Sequence, residues 1–330
     1  MKARRPLALL LALTLLALTG CGASGSRDLT QDVTPQKLDF SQEAPKDAGE
    51  AAARLGLALL SLAEGENPLL SPLSILYALA MTENGAAGET LAEMETLLGR
   101  PVEELNAALG AYLAGKSEGI QGTLHLANGI WFREREDFTV EPDFLQVNAD
   151  CYQAGIYAAP FTDATLRDIN AFVREHTDGM IDGILSELPP DAVMVLVNAL
   201  AFQAEWRDKY EGYQVQDWDF TREDGTVTPI SLMRDTEWSY LETENAAGFL
   251  KPYQGGRYAF LALLPNEDSS LSELLASLTP SQLRDLAANP QNCEVRTGLP
   301  KFQLSYDADL TDLLPQLGMV QAFDPMAADF

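Results

Sequence analysis

The stretch from residue 67 to residue 99 constrains the fold of this chain more than any other part of the sequence. It contains Ser71 followed by Pro72, a pair typical of a helix start, because Ser favours the N-cap and Pro loses no hydrogen bond in the first turn. Asn84-Gly85 predicts the end of this helix with a residue that tolerates positive φ, and a second helix is predicted from about Gly88. The apolar residues recur at helical spacing, at Ile75, Leu76, Leu79, Ala80, Leu91, Met94, Leu97 and Leu98. The spacing therefore predicts an αα-hairpin that buries one face of each helix.

The same stretch resembles the serpins. That family opens the helix behind its main sheet with Asn and Ser-Pro-x-Ser-Ile, and continues with Met, Gly-Ala, Gly, Thr and Met at set intervals. The matching residues are Asn67, Ser71, Pro72, Ser74, Ile75, Met81, Gly85, Ala86, Gly88, Thr90 and Met94. Later matches include Ala127-Asn128, Leu196, Val197, Asn198, Ala199, Phe202 and Trp206, whereas Phe172 and Ala204 replace the family's Trp and Gly. The resemblance runs from about residue 46 to residue 330 without a gap.

This resemblance implies a mixed α/β (multi-sheet α+β) fold, with three β-sheets surrounded by helices. The run 193–202, VMVLVNALAF, is rich in Val and predicts a central strand buried on both faces. In serpins the tripeptide seen here as Ala328-Asp329-Phe330 leads on to the reactive loop and the closing strands. The chain is therefore expected to be incomplete at its C-terminus, without that loop and without a reactive bond.

The N-terminus has the pattern of a bacterial lipoprotein signal. Basic residues precede an apolar run from Leu7 to Leu18, which is too short for an ordinary spanning helix, and Leu18-Thr19-Gly20-Cys21 resembles a lipobox. The sequence therefore predicts a signal peptide over 1–20, lipid attachment at Cys21, a tether over 21–44 and a serpin domain over 45–330. Two acyl chains would anchor the protein at the outer side of a membrane. An ordinary cleaved signal with an accidental Cys is the alternative interpretation.

The net charge of the chain limits the classes of partner that it is expected to bind. Its 49 acidic and 22 basic residues give a net charge of −27. Such a surface repels phosphates, so a nucleic acid partner and a polyanion such as heparin are not expected. Beyond Cys21, only Cys151 and Cys293 remain, and buried free thiols are the preferred interpretation over a disulfide.

The sequence offers little for an enzyme. It has only two His residues, His125 in a predicted strand and His176 at a predicted helix end, and neither is expected to act as a general base. The chain has no nucleophile elbow, zinc-protease motif, phosphate-binding loop or Cys-x-x-Cys pair. Its many carboxylates could supply a glycosidase pair, but the sequence selects none. We therefore expect no enzymatic activity, no cofactor and no metal.

The resemblance implies protease inhibition instead. Serpins present a loop to a serine or cysteine protease, which cleaves it and stays acylated while the loop inserts into the main sheet. Ser71 and Ser74 match the hydrogen-bonding cluster under that sheet, called the shutter, and Asn198 matches its strand partner. Trp206 matches the aromatic residue where insertion begins, called the breach. A plain N-cap at Ser71 and ordinary core packing at Trp206 remain open, and so do a non-inhibitory serpin relative and an acidic surface lipoprotein binding module.

Overall fold

The computed structural model describes residues 25–30, 33, 35–36, 38, 48–116, 124–222 and 224–330. Cys21, the predicted signal peptide and most of the predicted tether lie outside these residues. The helices are α1 (Ala48–Leu62), α2 (Pro72–Glu83), α3 (Gly88–Leu98), α4 (Val102–Lys116), α5 (Pro142–Tyr152), α6 (Asp163–His176), α7 (Leu271–Ser277), α8 (Pro280–Ala288) and α9 (Leu310–Leu313). The strands are β1 (Arg27–Asp28), β2 (Leu124–Arg133), β3 (Gly155–Ala159), β4 (Met194–Phe202), β5 (Val215–Thr221), β6 (Val227–Glu242), β7 (Ala246–Pro252), β8 (Ala259–Pro265) and β9 (Gln291–Pro300).

The predicted αα-hairpin is present as α2 and α3. Pro72 is the first residue of α2, and Gly99 ends α3 in the left-handed conformation with φ 75°. Gly85 differs from the prediction, because it is absent from the positive-φ residues. A Cβ there would instead lie 3.3 Å from the ring of Phe144. Close packing between α2 and α5, and not a left-handed turn, therefore favours glycine at this position.

The main sheet has the strand order β1-β3-β2-β4. β2 and β3 are parallel, whereas β4 and β1 are antiparallel to their neighbours. The prediction of a central strand over 193–202 is not met among the described strands, because β4 lies at the edge of this sheet. Only three of its nine residues, Val197, Ala199 and Ala201, are fully buried. One row of β4 backbone groups thus faces no neighbouring strand within the described part of the chain.

The remaining strands form a second sheet in the order β5-β6-β7-β8, with β9 also paired to β6. Three sheets were expected, but the described strands form two. The reason is the 16-residue length of β6, which pairs with β5 over residues 227–233, with β9 over residues 232–240 and with β7 over residues 240–242. The register between β6 and β9 shifts between Glu237 and Ser239, just before the pairing with β7 begins at Tyr240. The mixed α/β fold itself is confirmed.

β1 lies within the segment that the sequence predicts to be a tether. It pairs with β3, and Arg27 places two guanidinium nitrogens at 2.9 and 3.1 Å from Glu134 Oε1. The hydroxyl of Thr30 accepts a hydrogen bond from the Ile156 amide at 3.0 Å. These contacts show that part of the segment covers the outer edge of the main sheet.

Helices cover both faces of the main sheet. The larger core packs α1 to α5 around Leu55, Leu76, Tyr77 and Met94 behind it. On the other face, α6 packs against Trp131, whose ring is stacked on Tyr157 at 4.6 Å and meets Phe172 edge-on at 5.2 Å. Phe172 thus supplies the aromatic contact expected at that position. Cys151 and Cys293 are both free thiols, but Cys293 is exposed, contrary to the prediction that both are buried.

Candidate functional site

A chain of side-chain hydrogen bonds crosses the main sheet at Asn128 and Asn198. These residues face each other in the antiparallel register of β2 and β4. The Asn198 Nδ2 donates to Asn128 Oδ1 at 2.7 Å, and the Asn128 Nδ2 donates to the carbonyl of Tyr152 at 2.7 Å. At the other end, the hydroxyl of Ser74 donates to Asn198 Oδ1. The chain therefore connects α2, β4, β2 and the end of α5.

This Asn128–Asn198 hydrogen-bond chain satisfies polar groups in an apolar environment. Asn128 is 4% exposed and Asn198 is half-buried between apolar neighbours in both strands. A buried amide without partners costs free energy, so two facing amides in one register stabilise each other. The sequence predicts Ser74 and Asn198 as site residues, and the structure places them in contact. Asn128 was recognised only as part of a family motif, although an Asn in an apolar strand is itself a signal.

Ser71 does not join this chain. Its side chain is exposed and makes no capping hydrogen bond, although its carbonyl accepts from the Ile75 amide at 3.1 Å. Its backbone, at φ −110° and ψ 86°, lies outside the extended conformation that N-cap residues usually adopt. The two serines that the sequence assigns to one cluster therefore differ: Ser74 is in it, and Ser71 only precedes the helix.

Trp206 lies after β4, on the connection from residue 203 to residue 214 that leads to β5. We call this segment the β4–β5 connection. The Trp206 ring is stacked on Tyr253 at 4.4 Å with an interplanar angle of 7°, and meets Phe260 edge-on at 5.9 Å. Trp206 therefore joins the end of β4 to the hairpin between β7 and β8. It is half-buried, so it is less enclosed than an ordinary core residue.

Sequence reasoning missed Lys251, a buried cation beside Trp206. Its side chain is 1% exposed, and its Nζ lies 3.2 Å from Asp235 Oδ2 and also contacts Glu237 Oε1. Burial acts to lower the pKa of Lys251, but the hydrogen bond to Glu237 and the neighbouring negative groups outweigh it and raise that pKa. The available signal was a Lys inside the otherwise apolar strand FLKP of β7.

Both histidines contact polar groups of other residues. His125 Nε2 lies 3.6 Å from Asp178, and His176 Nδ1 is hydrogen-bonded to the Phe172 carbonyl at 2.8 Å. Across the residues that the structure describes, no group of three or more His, Cys, Asp or Glu is arranged to hold a metal ion. In the same part of the chain, no helix has both the length and the apolarity needed to cross a membrane.

Comparisons with known proteins agree with this architecture. The family model for serpins (serine protease inhibitors) matches residues 46–330. Human serpin I2 is 28% identical over 318 residues, which cover 92% of this chain and 73% of that protein. Bovine leukocyte elastase inhibitor is 30% identical over 277 residues, which cover 79% of this chain and 73% of that protein.

Solved structures give the same result. The native state of the thermophilic serpin tengpin has a TM-score of 0.84 and 39% identity, over 92% of this chain and 79% of that chain. The latent state of tengpin has a TM-score of 0.78 and 41% identity, over 89% of this chain and 80% of that chain. Serpins are in general protease inhibitors that bind their target proteases, and not enzymes. The extent of these matches shows that the chain belongs to the serpin family.

Proposed function

We propose that the protein inhibits an extracellular serine or cysteine protease by cleavage of a reactive loop and its insertion into the main sheet. The observation that carries this proposal is the Asn128–Asn198 hydrogen-bond chain, in which Ser74 of α2 meets β4 beneath the main sheet of a serpin. A loop that inserts beside β4 would pair with its backbone amides and carbonyls as an added strand. Family membership and the similarity to leukocyte elastase inhibitor support the same reading.

In this mechanism the protease performs the chemistry and the inhibitor supplies no catalytic residue. The protease nucleophile forms an ester or thioester with the carbonyl carbon of the cleaved bond, and the new amine leaves. The loop then pairs with β4 as an added strand, so that its backbone gains partners that it lacked in solution. Ser74 and Asn198 connect β4 to α2 beneath the main sheet, while Trp206 lies where the strand ends.

The proposal is tested by incubating the protein, expressed from its natural reading frame, with a panel of serine and cysteine proteases. We expect a protease–inhibitor complex that survives boiling in SDS, because an acyl bond joins the two chains. Residues 22–330, which lack any loop that the natural reading frame encodes beyond residue 330, are the matched control and should form no such complex. Loop cleavage by every protease, with no covalent complex, would instead indicate a non-inhibitory relative.

We also propose that Cys21 carries lipid and anchors the protein at the outer membrane surface of a bacterium. The apolar run from Leu7 to Leu18 and the lipobox-like Leu18-Thr19-Gly20-Cys21 support this assignment. Replacing Cys21 by Ala should release the protein from the membrane fraction or leave its signal uncleaved. Fractionation followed by mass spectrometry of the N-terminus measures both results. Membrane attachment that is unchanged in the Cys21→Ala variant would contradict the lipid assignment and favour another means of attachment.

A further inference from the structure

The β4–β5 connection is held on the second sheet by a small number of contacts. The Arg207 amide donates to the Pro252 carbonyl at 3.0 Å, and the Gln254 amide donates to the Glu205 carbonyl at 2.8 Å. Trp206 adds its stack on Tyr253. These contacts all lie directly around Lys251, which precedes Pro252 at the end of β7.

Lys251 faces this connection with its positive charge. Its Nζ lies 4.4 Å from the centre of the Tyr210 ring and 5.9 Å from that of the Trp206 ring. An ammonium at such distances is attracted by the negative face of an aromatic ring, and more so when water is excluded. Since the side chain is 1% exposed, salt screens this attraction little. Lys251 thus contacts two rings of the connection from inside the sheet.

Two carboxylates keep the ammonium in this position. Asp235 and Glu237 lie on β6 and bind Nζ from the side of the sheet. Asp235 Oδ1 also accepts a hydrogen bond from Gln214 Nε2 at 2.9 Å, at the far end of the connection. Besides its backbone hydrogen bonds and the stack on Tyr253, the connection therefore contacts Lys251 or its ion-pair partner Asp235 at residues 206, 210 and 214.

We propose that Lys251 is a positioning residue for the end of β4. Its ammonium holds Trp206 and Tyr210, and with them the β4–β5 connection, against the second sheet. It thereby sets how often the end of β4 separates from that sheet. This inference rests on the proposed function, because separation at this place matters most to a protein that accepts an inserted strand beside β4.

The test measures hydrogen exchange of the Arg207 and Gln254 amides, whose hydrogen bonds join the connection to the end of β7 and to the turn that follows it. The variant is the neutral triple Lys251→Met, Asp235→Asn, Glu237→Gln, which removes the cation without leaving an unpaired buried charge. We expect both amides to exchange roughly tenfold faster than in the native protein, because two cation–ring contacts are lost. A native exchange rate at both amides would overturn the proposal, since Lys251 would then stabilise only the sheet.

Tyr210 provides a second measurement with a matched control. Tyr210→Leu removes the closer ring and should speed exchange of the two amides several-fold, whereas Tyr210→Phe keeps a ring under the cation and should not. Adding Tyr210→Leu to the neutral triple should have little further effect, because the cation is already absent. Equal effects of the Leu and Phe variants, or full additivity, would overturn the assignment. Exchange requires no protease, so these results are independent of whether the protein inhibits one.

Discussion

Replacing Glu83 by Gln should make the protein more stable above pH 8 and should remove part of its pH dependence. Glu83 is the last residue of α2 and is only 1% exposed. Neither of its carboxyl oxygens has a hydrogen-bond partner among the described residues. Burial, together with the charges of Glu95 and Glu103, raises its pKa from 4.5 to about 8. A negative charge at a helix C-terminus is unfavourable as well.

The direction of the effect follows from proton linkage. The folded protein holds a proton on Glu83 up to about pH 8, whereas the unfolded chain releases it near pH 4.5. The contribution of Glu83 to the free energy of unfolding is therefore highest below pH 4.5 and falls as the pH rises toward 8. The shift from 4.5 to about 8 corresponds to about 5 kcal/mol, and the isosteric amide of Gln has no proton to lose.

Urea unfolding at intervals from pH 5 to pH 9 measures this prediction. The native protein should lose stability across that range relative to Glu83→Gln, and the difference should stop growing above about pH 8. Glu66→Gln is the control, because Glu66 is exposed and lies in the loop before α2. Glu103→Gln should shift the native curve toward acid pH, since it removes one charge that raises the pKa of Glu83. Parallel curves for the native protein and Glu83→Gln would show that the carboxyl is solvated.

Asn198→Ala should destabilise the protein by about 2–4 kcal/mol, because each buried polar group that is left without its hydrogen-bond partner costs roughly 1–3 kcal/mol. The substitution leaves Asn128 Oδ1 without its donor and the Ser74 hydroxyl without its acceptor. Ser71→Ala is the matched control: that hydroxyl makes no capping hydrogen bond, so its loss should change stability by less than about 0.5 kcal/mol.

A double-mutant cycle separates the hydrogen-bond chain from simple packing. Ser74→Ala and Asn198→Ala should be non-additive, because the second change finds its partner already missing. Ser71→Ala and Asn198→Ala should be additive. Urea denaturation of the native protein, the three single variants and the two double variants gives both couplings. Equal losses from Ser71→Ala and Ser74→Ala would mean that the two serines have the same role, as the sequence alone suggests.

Local patterns predicted the helices well. The Ser71-Pro72 start, the apolar spacing and Gly99 define the hairpin of α2 and α3 within a residue of its observed bounds. These signals act over one or two helical turns, where the spacing of apolar residues and the fixed φ of Pro are sufficient. The role of Gly85 was not predictable in this way, because its cause is the ring of Phe144 from a distant helix.

Strand neighbours were less predictable. The Val-rich run 193–202 reads as a buried strand, yet β4 lies at the sheet edge among the described strands. The apolar side chains of a strand indicate that its two faces are buried. They do not indicate whether its two edges are paired, because the edges consist of backbone groups. β1 is the opposite case, since a polar segment pairs with β3 through backbone groups that any sequence possesses.

The sequence by itself determined the αα-hairpin and the resemblance to serpins, because these depend on the type and spacing of side chains along the chain, and the resemblance in turn implied the mixed α/β class. Only the tertiary structure decided which of the predicted polar residues meet. Ser74 contacts Asn198, whereas Ser71 is exposed to solvent. Lys251 forms its ion pairs with carboxylates on β6. Contacts of this kind join residues far apart in sequence. Their partners are chosen by strand register and helix placement, which no local pattern records.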